Sequence, residues 1–301
     1  MWRLAHDRCI TLEQPRLIGI LNTTPDSFHA DSRVAGVGEG VGRAREMVAG
    51  GAVMLDIGGE STRPGAEPVP AGIQIERCAG LIGAIRAAGD LADVAISIDT
   101  SSSVVAQAAL EAGADCVNDV SEGRGDERMF AVVTGFGAGL ILMHRLRPPE
   151  GDSYSDRYDR EPAYASVVDE VSAFLGERME RAMEAGVAPE AIVLDPGLGF
   201  GKSVEQNLEL IRQTPRLVGL GRPVLSALSR KSFVGRISLG RDSTPRERLS
   251  GTLGLSVAHA ALGATLLRVH DVGEHARALR SAMAVGLLET TRGATRGAEA
   301  G

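Results

Sequence analysis

One pattern recurs eight times along this 301-residue chain: a short apolar run, a polar or glycine-rich junction, and a segment with helical periodicity. The apolar runs do not alternate with polar residues, which predicts strands buried on both faces, as in a parallel sheet. They occupy residues 17–21, 52–55, 94–98, 116–120, 139–143, 191–194, 223–228 and 265–269. Strand–helix–strand units cross over right-handedly, so eight in succession predict an α/β fold, a closed (β/α)8 barrel of about 250 residues. An open doubly wound sheet is the alternative.

The predicted helices lie between these runs. In the first of them, Val41, Ala44 and Met47 share one face at helical spacing. Later helices are expected to start near residues 71, 101, 126, 161, 203, 245 and 273, with Pro162 and Pro245 in first turns. No linker interrupts the chain, so residues 1–290 are predicted to form one domain. The small, polar residues 291–301 are predicted to be a disordered tail.

Composition restricts the class of protein. A hydrophobic fraction of 44% and a charged fraction of 24% are typical of globular chains. The net charge of −7 argues against a nucleic-acid partner, and no apolar stretch has the length of a membrane span or the form of a signal peptide. Three cysteines (Cys9, Cys78 and Cys116) give an odd count without a CxxC pair. We therefore expect unpaired thiols in a reducing cytoplasm.

Polar side chains follow every predicted strand. Catalytic groups of a barrel lie at the carboxyl ends of its strands, so these junctions predict the floor of a pocket. They are Asn22, Asp56, Asp99, Asn118, His144, Asp195, the stretch 229–231, and Arg268 with His270. One such residue, for example Asp99 or Asp195, is often only a helix cap. Eight in succession are not explained by capping alone.

The junction residues divide into two chemical groups. Arg63, Arg268 and His270, with Asn22 and Thr62, suit an oxyanion such as a phosphate or a pyrophosphate. The Asn22 carboxamide oxygen also suits Mg²⁺, which binds phosphate groups while using few protein ligands.

The second group suits a planar, nitrogen-rich heterocycle. Asp99, Asn118 and Asp195 offer acceptors and donors for its edge, and Lys231 is expected to reach a ring carbonyl or nitrogen. A heterocycle beside an anionic leaving group indicates group transfer rather than redox chemistry. The glycine-rich stretch 197–203 lacks the spacing of a P-loop, and the chain has neither an HExxH zinc motif nor a GxSxG elbow.

Seven motifs, in order, resemble those of the dihydropteroate synthase family, the folate-pathway enzymes that sulfonamides inhibit. They are GILNTTPDSF at 19–28, GGESTRPG at 58–65, SIDT at 97–100, VNDV at 117–120, LDPGLGFGK at 194–202, SRKSF at 229–233 and RVHD at 268–271. The resemblance extends from about residue 16 to residue 285. It implies a single-domain TIM barrel that joins 6-hydroxymethyl-7,8-dihydropterin pyrophosphate to 4-aminobenzoate, with release of pyrophosphate.

The resemblance also implies roles for individual residues. Asp99, Asn118, Asp195 and Lys231 would hold the pterin, and Met143 and Phe200 would line the pterin and aminobenzoate walls. Asn22 would bind Mg²⁺, while Thr62, Arg63, Arg268 and His270 would grip the pyrophosphate. Ser229 and Pro64, with an adjacent helix N-terminus, would receive the aminobenzoate carboxylate.

Further expectations follow from the same resemblance. Family members are usually homodimers. A catalytically silent pterin-binding paralogue and a pterin-dependent methyltransferase are the alternative functions, although the STRPG and SRKS motifs do not fit the methyltransferase. This sequence departs from the family pattern at residues 145–160, a long, charged, tyrosine-bearing loop in place of a short turn.

Overall fold

The computed structural model describes residues 1–23, 33–61, 63–121 and 125–288, except for the side chains of residues 33–35. The strands of this described part are β1 (Trp2–Arg3), β2 (Cys9–Ile10), β3 (Arg16–Asn22), β4 (Ala52–Gly58), β5 (Ala95–Asp99), β6 (Cys116–Asp119), β7 (Gly139–Met143), β8 (Ile192–Asp195), β9 (Val224–Ser226) and β10 (Ala264–Val269). Strands β3 to β10 pair in parallel and close into a barrel in chain order, β10 meeting β3. The predicted (β/α)8 barrel is confirmed, and each predicted apolar run coincides with one of these strands.

Helices surround the barrel. They are α1 (Arg33–Gly50), α2 (Ala71–Ala87), α3 (Ser103–Glu111), α4 (Met129–Phe136), α5 (Val167–Glu184), α6 (Val204–Arg212), α7 (Thr214–Val218), α8 (Ser232–Leu239), α9 (Leu249–Ala261) and α10 (Val272–Ala284). Their apolar faces pack on the outward-facing residues of the strands, where Ala44 and Leu55, for example, join one large buried cluster. None of the helices in the described ranges is long and apolar enough to cross a membrane.

Alternation along the strands separates the interior of the barrel from its outer core. One residue of each strand contributes to a cluster inside the barrel: Ile18, Met54, Ala95, Cys116, Ile141, Val193, Leu225 and Leu266. Because successive side chains of a strand point to opposite faces, residues two or four positions further along also point inward. This alternation decides which polar residues reach the mouth of the barrel.

The chain begins with a hairpin that the sequence analysis did not predict. Strands β1 and β2 pair antiparallel, and their Trp2, Leu4 and Ile10 complete the interior cluster from the end opposite the strand carboxyl termini. The buried indole of Trp2 donates from Nε1 to the carbonyl of Ala191 at 2.8 Å. Two-residue strands carry almost no periodic signal, which explains the omission.

One predicted helix start was wrong, and two helices were missed. Helix α5 begins at Val167, not near residue 161, because Ser166 provides the N-cap by accepting a hydrogen bond from the Asp169 amide. Pro162 therefore precedes the helix, and its carbonyl accepts a hydrogen bond from Gln206. The short helices α7 and α8 lie in stretches that were not assigned to helices. The predicted tail, 291–301, lies outside the described residues.

Candidate active site

Four strand ends place a row of residues side by side at the barrel mouth. In register, Asn22 pairs with Gly58, Gly58 with Asp99, and Asp99 with Asn118. Gly58 lies directly against both neighbours, since a Cβ there would be in van der Waals contact with the Asp99 Cβ at 3.4 Å and with Asn22 Oδ1 at 3.5 Å. Asn22, Asp99 and Asn118 thus share one pocket wall, although they are far apart in the chain.

A buried ion-pair network crosses the barrel below this row. Arg268 donates from Nε to Asp56 Oδ2 at 2.5 Å and from Nη2 to Asp99 Oδ2 at 2.7 Å. Asp56 also accepts the Ser97 hydroxyl at 2.6 Å and the Asn118 amide at 3.3 Å. Burial alone would lower the pKa of Arg268, but Asp56 and Asp99 outweigh burial and hold that pKa above its usual value. Arg268 is therefore a permanent cation between two carboxylates.

Asp56 is the site residue to which sequence reasoning gave no role. Its signal was present: it is a charged residue two positions after Met54, on the inward face of an otherwise apolar strand. It is fully buried and satisfied by the three partners above, so its contact with a ligand is indirect. It fixes Arg268 and Asn118 relative to each other.

Two oxygens of the row are buried without a hydrogen-bond donor. Among the described residues, Asp99 Oδ1 and Asn118 Oδ1 have no partner. Leaving a buried acceptor unpaired costs about 1–3 kcal/mol, so such atoms indicate a ligand that donates N–H groups. Burial raises the pKa of Asp99 to about 7, although Arg268 opposes this shift. A ligand that donates a hydrogen bond to Asp99 would therefore stabilise its charged form.

The opposite wall contains Asp195, Lys231 and Phe200. Asp195 ends β8 in register with Met143, and its Oδ1 accepts the Gly197 amide at 2.7 Å. Burial raises the Asp195 pKa, while nearby Lys231 opposes that shift. Lys231 donates to the Leu198 carbonyl and lies 4.0 Å from the centroid of the Phe200 ring. Burial lowers the Lys231 pKa to about 7.

Ser229 and His270 meet at the third side of the mouth. The Ser229 hydroxyl accepts the His270 amide at 3.2 Å and lies 3.0 Å from its Nδ1. Burial, followed by the charge of Arg268, lowers the His270 pKa to about 3. His270 is therefore a neutral hydrogen-bonding group in the free protein and does not add to the cations that the sequence suggested.

The loop that contains Ser229 has a strained backbone held by an ion pair. Arg230 adopts a left-handed φ of 60°, which is unusual for a residue other than glycine, asparagine or aspartate. Its guanidinium binds both carboxylate oxygens of Asp271, and its carbonyl accepts a hydrogen bond from Arg248 at 2.9 Å. The ion pair joins the loop after β9 to the loop after β10. It thereby fixes Ser229 and Lys231 on either side of Arg230.

The remaining predicted residues lie around these walls. Met143 is buried at the end of β7, whereas Arg63 is exposed in the loop after β4, with Pro64 partly buried beside it. Arg63 is close enough to His270 to contribute to the lowering of that pKa. Thr62 lies outside the described residues, as do residues 24–28 of the first motif. The geometry therefore brings together Asn22, Asp99, Asn118, Asp195, Lys231, Phe200, Ser229, Arg268 and His270.

Comparison with known proteins agrees with this geometry. The model of the pterin binding enzyme family matches residues 18–270. A dihydropteroate synthase of Synechocystis sp. is 43% identical over 257 residues, which is 85% of each chain. The solved structure of Xanthomonas albilineans dihydropteroate synthase with 4-aminobenzoic acid is 38% identical, covers 95% of this chain and 99% of its own, and superposes with a TM-score of 0.84.

A second structure of the Xanthomonas albilineans enzyme, in complex with 7,8-dihydropteroate, has a TM-score of 0.79 at 35% identity. It covers 92% of this chain and 95% of its own. This similarity extends over nearly the whole length of both chains, and it agrees with the seven motifs and with the residues found at the barrel mouth. This chain belongs to the dihydropteroate synthase family of pterin-binding enzymes.

Proposed function

We propose that this protein, a transferase of folate biosynthesis, joins 6-hydroxymethyl-7,8-dihydropterin pyrophosphate to 4-aminobenzoate to give 7,8-dihydropteroate and pyrophosphate. The observation that carries the proposal is a pair of buried oxygens at the mouth of the barrel, Asp99 Oδ1 and Asn118 Oδ1. Neither accepts a hydrogen bond from any described residue. The pyrimidine edge of a pterin supplies adjacent N–H groups that can satisfy both. Solved relatives bound to 4-aminobenzoic acid and to 7,8-dihydropteroate support the same assignment.

The pterin is held between the two walls. Asp99 and Asn118 accept its N–H groups on one side, and Asp195 accepts on the other. Lys231 donates to the ring carbonyl or a ring nitrogen. Met143 lines the pterin side of the pocket, and Phe200 lines the side that receives 4-aminobenzoate. Asp56 keeps Arg268 and Asn118 in place during binding, because its Oδ2 accepts a hydrogen bond from each of them.

The reaction begins with cleavage of the bond between the pterin methylene carbon and the pyrophosphate oxygen. The electron pair leaves with the pyrophosphate, and the electron-rich pterin stabilises the resulting cationic methylene. The neutral amine of 4-aminobenzoate then forms the C–N bond and loses a proton. No covalent enzyme intermediate is required, so the acceleration comes from positioning and from charge stabilisation.

Charge for the leaving group comes from Arg63 and Arg268. Because the His270 pKa is about 3 in the free protein, His270 contributes a neutral N–H, not a positive charge. Thr62 adds a hydroxyl in this proposal. Arg63, being exposed on the loop after β4, can approach the pyrophosphate as that loop moves.

The 4-aminobenzoate carboxylate binds at Ser229 and Pro64, beside the N-terminus of α8. Helix α8 starts at Ser232, three residues after Ser229, so its free amides face the same region. The Arg230–Asp271 ion pair holds this loop in the conformation that presents the Ser229 hydroxyl.

The donor set also fits a Mg²⁺ ion held mainly by substrate. Among the described residues, no group of three His, Cys, Asp or Glu side chains could hold a metal by itself. Asn22 Oδ1 lies at the pocket wall beside Gly58, and Mg²⁺ commonly combines one such oxygen with phosphate oxygens and waters. Bound there, Mg²⁺ would neutralise charge on the pyrophosphate.

The protein is further proposed to be a cytoplasmic homodimer. The residues Ile237 and Leu239 on α8 are about 40% exposed, which supports an association surface on the later helices. Its three cysteines are unpaired, as expected for a reducing compartment. Light scattering of the purified protein would measure the oligomeric state directly.

The test of the proposed reaction measures pyrophosphate release from the dihydropterin pyrophosphate with Mg²⁺, with and without 4-aminobenzoate. The proposal requires pteroate formation that depends on 4-aminobenzoate, with at least one pyrophosphate released for each pteroate formed. Tight pterin binding with no product would instead identify a silent pterin-binding module. A corrinoid-dependent methyl transfer would identify the methyltransferase alternative.

A further inference from the structure

The loop between β7 and α5, which includes the departure expected at residues 145–160, runs along the mouth of the barrel. Residues 146–164, which we call the strap, lie between β7 and α5. The strap does not project into solvent as an isolated loop: it bonds the turn at residues 197–201, which contains Phe200, and the start of α6. Its contacts fall on both sides of that one aromatic residue.

On the C-terminal side of Phe200, the strap forms hydrogen bonds with both backbone polar groups of Gly201. The Gly201 amide donates to Asp152 Oδ2 at 2.8 Å, and the Gly201 carbonyl accepts the Tyr164 hydroxyl at 3.0 Å. Gly201 has a φ of 62°, and a Cβ at this position would overlap the Cβ of Leu146. The strap therefore packs directly on the Gly201 backbone.

The Asp152 carboxylate is itself fixed by the strap. Its Oδ1 accepts the Ser153 amide at 2.9 Å and the Tyr158 hydroxyl. Burial raises the pKa of Tyr158 well above its usual value, so the phenol remains a donor at any pH that the protein encounters. Both carboxylate oxygens are occupied by donors, which leaves Asp152 one orientation.

On the N-terminal side of Phe200, the strap acts through Asn207 of α6. Asn207 Oδ1 accepts the Gly199 amide at 2.6 Å, while its Nδ2 donates to Ser155 Oγ of the strap at 3.1 Å. The residues on either side of Phe200 are thus both tied to the strap, one directly and one through Asn207. The ring between them lies 4.0 Å from Lys231 Nζ.

The strap also contacts the loop that carries Arg63. The Gly65 amide donates to the Pro149 carbonyl at 2.9 Å. The strap therefore spans the mouth, from the arginine loop on one side to the Phe200 turn on the other.

We propose that Asp152 and Tyr164 are positioning residues that hold Phe200 as a wall of the 4-aminobenzoate subsite. This inference rests on the proposed function. The pterin is held mainly by hydrogen bonds from the barrel floor, none of which involves the strap. 4-Aminobenzoate has only a ring, a carboxylate and an amine. Contact of its ring with a fixed aromatic side chain therefore contributes more to its binding free energy than such a contact contributes for the pterin.

The test uses Asp152→Asn, which keeps the size of the side chain and removes one acceptor. An asparagine can satisfy either Gly201 or the Ser153 amide, but its NH₂ group then faces the other donor. A hydrogen bond to a charged carboxylate is stronger than one to a neutral amide, so the variant holds the Gly201 backbone less firmly. We therefore expect the KM for 4-aminobenzoate to rise about tenfold. The affinity for the dihydropterin pyrophosphate, measured by calorimetry without 4-aminobenzoate, should change less than about twofold.

Two further variants separate positioning from charge and from general damage. Tyr164→Phe removes the hydroxyl that donates to the Gly201 carbonyl without changing charge, and it should raise the same KM. Asp159→Asn makes the chemical change of Asp152→Asn at an exposed residue of the strap, and it should leave all kinetic constants unchanged.

Amide hydrogen exchange provides a readout that does not depend on catalysis. In the ligand-free protein, the Gly201 amide should exchange faster in Asp152→Asn than in the wild type. Equal rises of both substrate constants, or lower thermal stability with unchanged constants, would overturn the inference. If the wild type made no pteroate, the proposed function would fail, and faster Gly201 exchange would still establish the tie between the strap and the turn.

Discussion

At the scale of single residues, the site contains ionisable side chains whose pKa values are shifted by burial. Asp99 and Lys231 have pKa values near 7 for the same reason, because burial disfavours the charged form of each. Arg268 remains charged because Asp56 and Asp99 surround it. Arg268 is thus a fixed cation, whereas the charges of Asp99 and Lys231 depend on pH in the physiological range.

This arrangement predicts how pterin affinity depends on pH. Asp99 accepts from the pterin most strongly as a carboxylate, so affinity falls as the pH drops below about 7. Lys231 donates best as an ammonium, so affinity also falls as the pH rises above about 7. Calorimetric titrations of the dihydropterin pyrophosphate across this range should therefore give a maximum near neutrality.

Two variants show which residue causes the fall in pterin affinity at low pH, the acid limb, and which causes the fall at high pH, the alkaline limb. Asp99→Asn should flatten the acid limb and Lys231→Met the alkaline limb, each with a weaker maximum. The titration of the ligand itself is common to all three proteins, so differences between the profiles report on the two residues. Identical profile shapes in the wild type and both variants would contradict the assignment.

Arg63 is predicted to act on the leaving group and not on the pterin. Arg63→Ala should lower kcat by roughly 100-fold or more, the loss expected when one charge-stabilising group is removed. The dissociation constant of the pterin substrate should stay close to that of the wild type, since the pterin-holding groups are on the barrel floor. Near-normal turnover would remove Arg63 from the mechanism.

At the scale of elements, the N-terminal hairpin closes the end of the barrel that faces away from the chemistry. Its anchor is Asp115, a fully buried carboxylate just before β6. Asp115 accepts from Arg86 at 2.5 Å and from the Ile96 amide at 2.8 Å, and its Oδ1 lies 3.2 Å from Arg8 and 3.1 Å from His6. The cluster joins the hairpin to α2 and β5, at the opposite end of the barrel from the substrate ring.

Asp115→Asn should therefore affect stability and spare catalysis. Removing one partner of a buried ion pair costs about 3–5 kcal/mol, and we expect a loss of about 3 kcal/mol in the free energy of unfolding measured in urea. KM values for both substrates should be unchanged. Asp90→Asn, which breaks the exposed pair with Arg45, is the matched control and should have little effect. Altered KM values with intact stability would show that the two ends of the barrel are not independent.

At the scale of the whole molecule, the repeated strand–helix pattern was sufficient to predict the barrel, and strand ends were sufficient to predict most of its mouth. The position of Asp99 and Asp195 at the mouth was predicted because each ends a buried strand on its inward face, and Asn118 because it is one residue before the end of its strand, on the same face. The role of Asp56 was not found, since it depends on Arg268, which is 212 residues away and meets it only across the closed barrel. The neutrality of His270 was also missed, because the sequence does not reveal how deeply a histidine is buried or which cations surround it.

The barrel-mouth ring is best tested by comparing pteroate formation in three proteins: the wild type, Asp99→Asn and Asp93→Asn. Asp93 is an exposed aspartate near the hairpin end, so its variant controls for the loss of one carboxylate elsewhere. We predict that the wild type and Asp93→Asn form pteroate with equal kcat/KM for the pterin substrate. In Asp99→Asn this value should fall by roughly 100-fold, because a charged acceptor for the pterin N–H is lost and Arg268 loses a partner. Wild-type catalysis in Asp99→Asn, or no pteroate from any of the three proteins, would contradict the account.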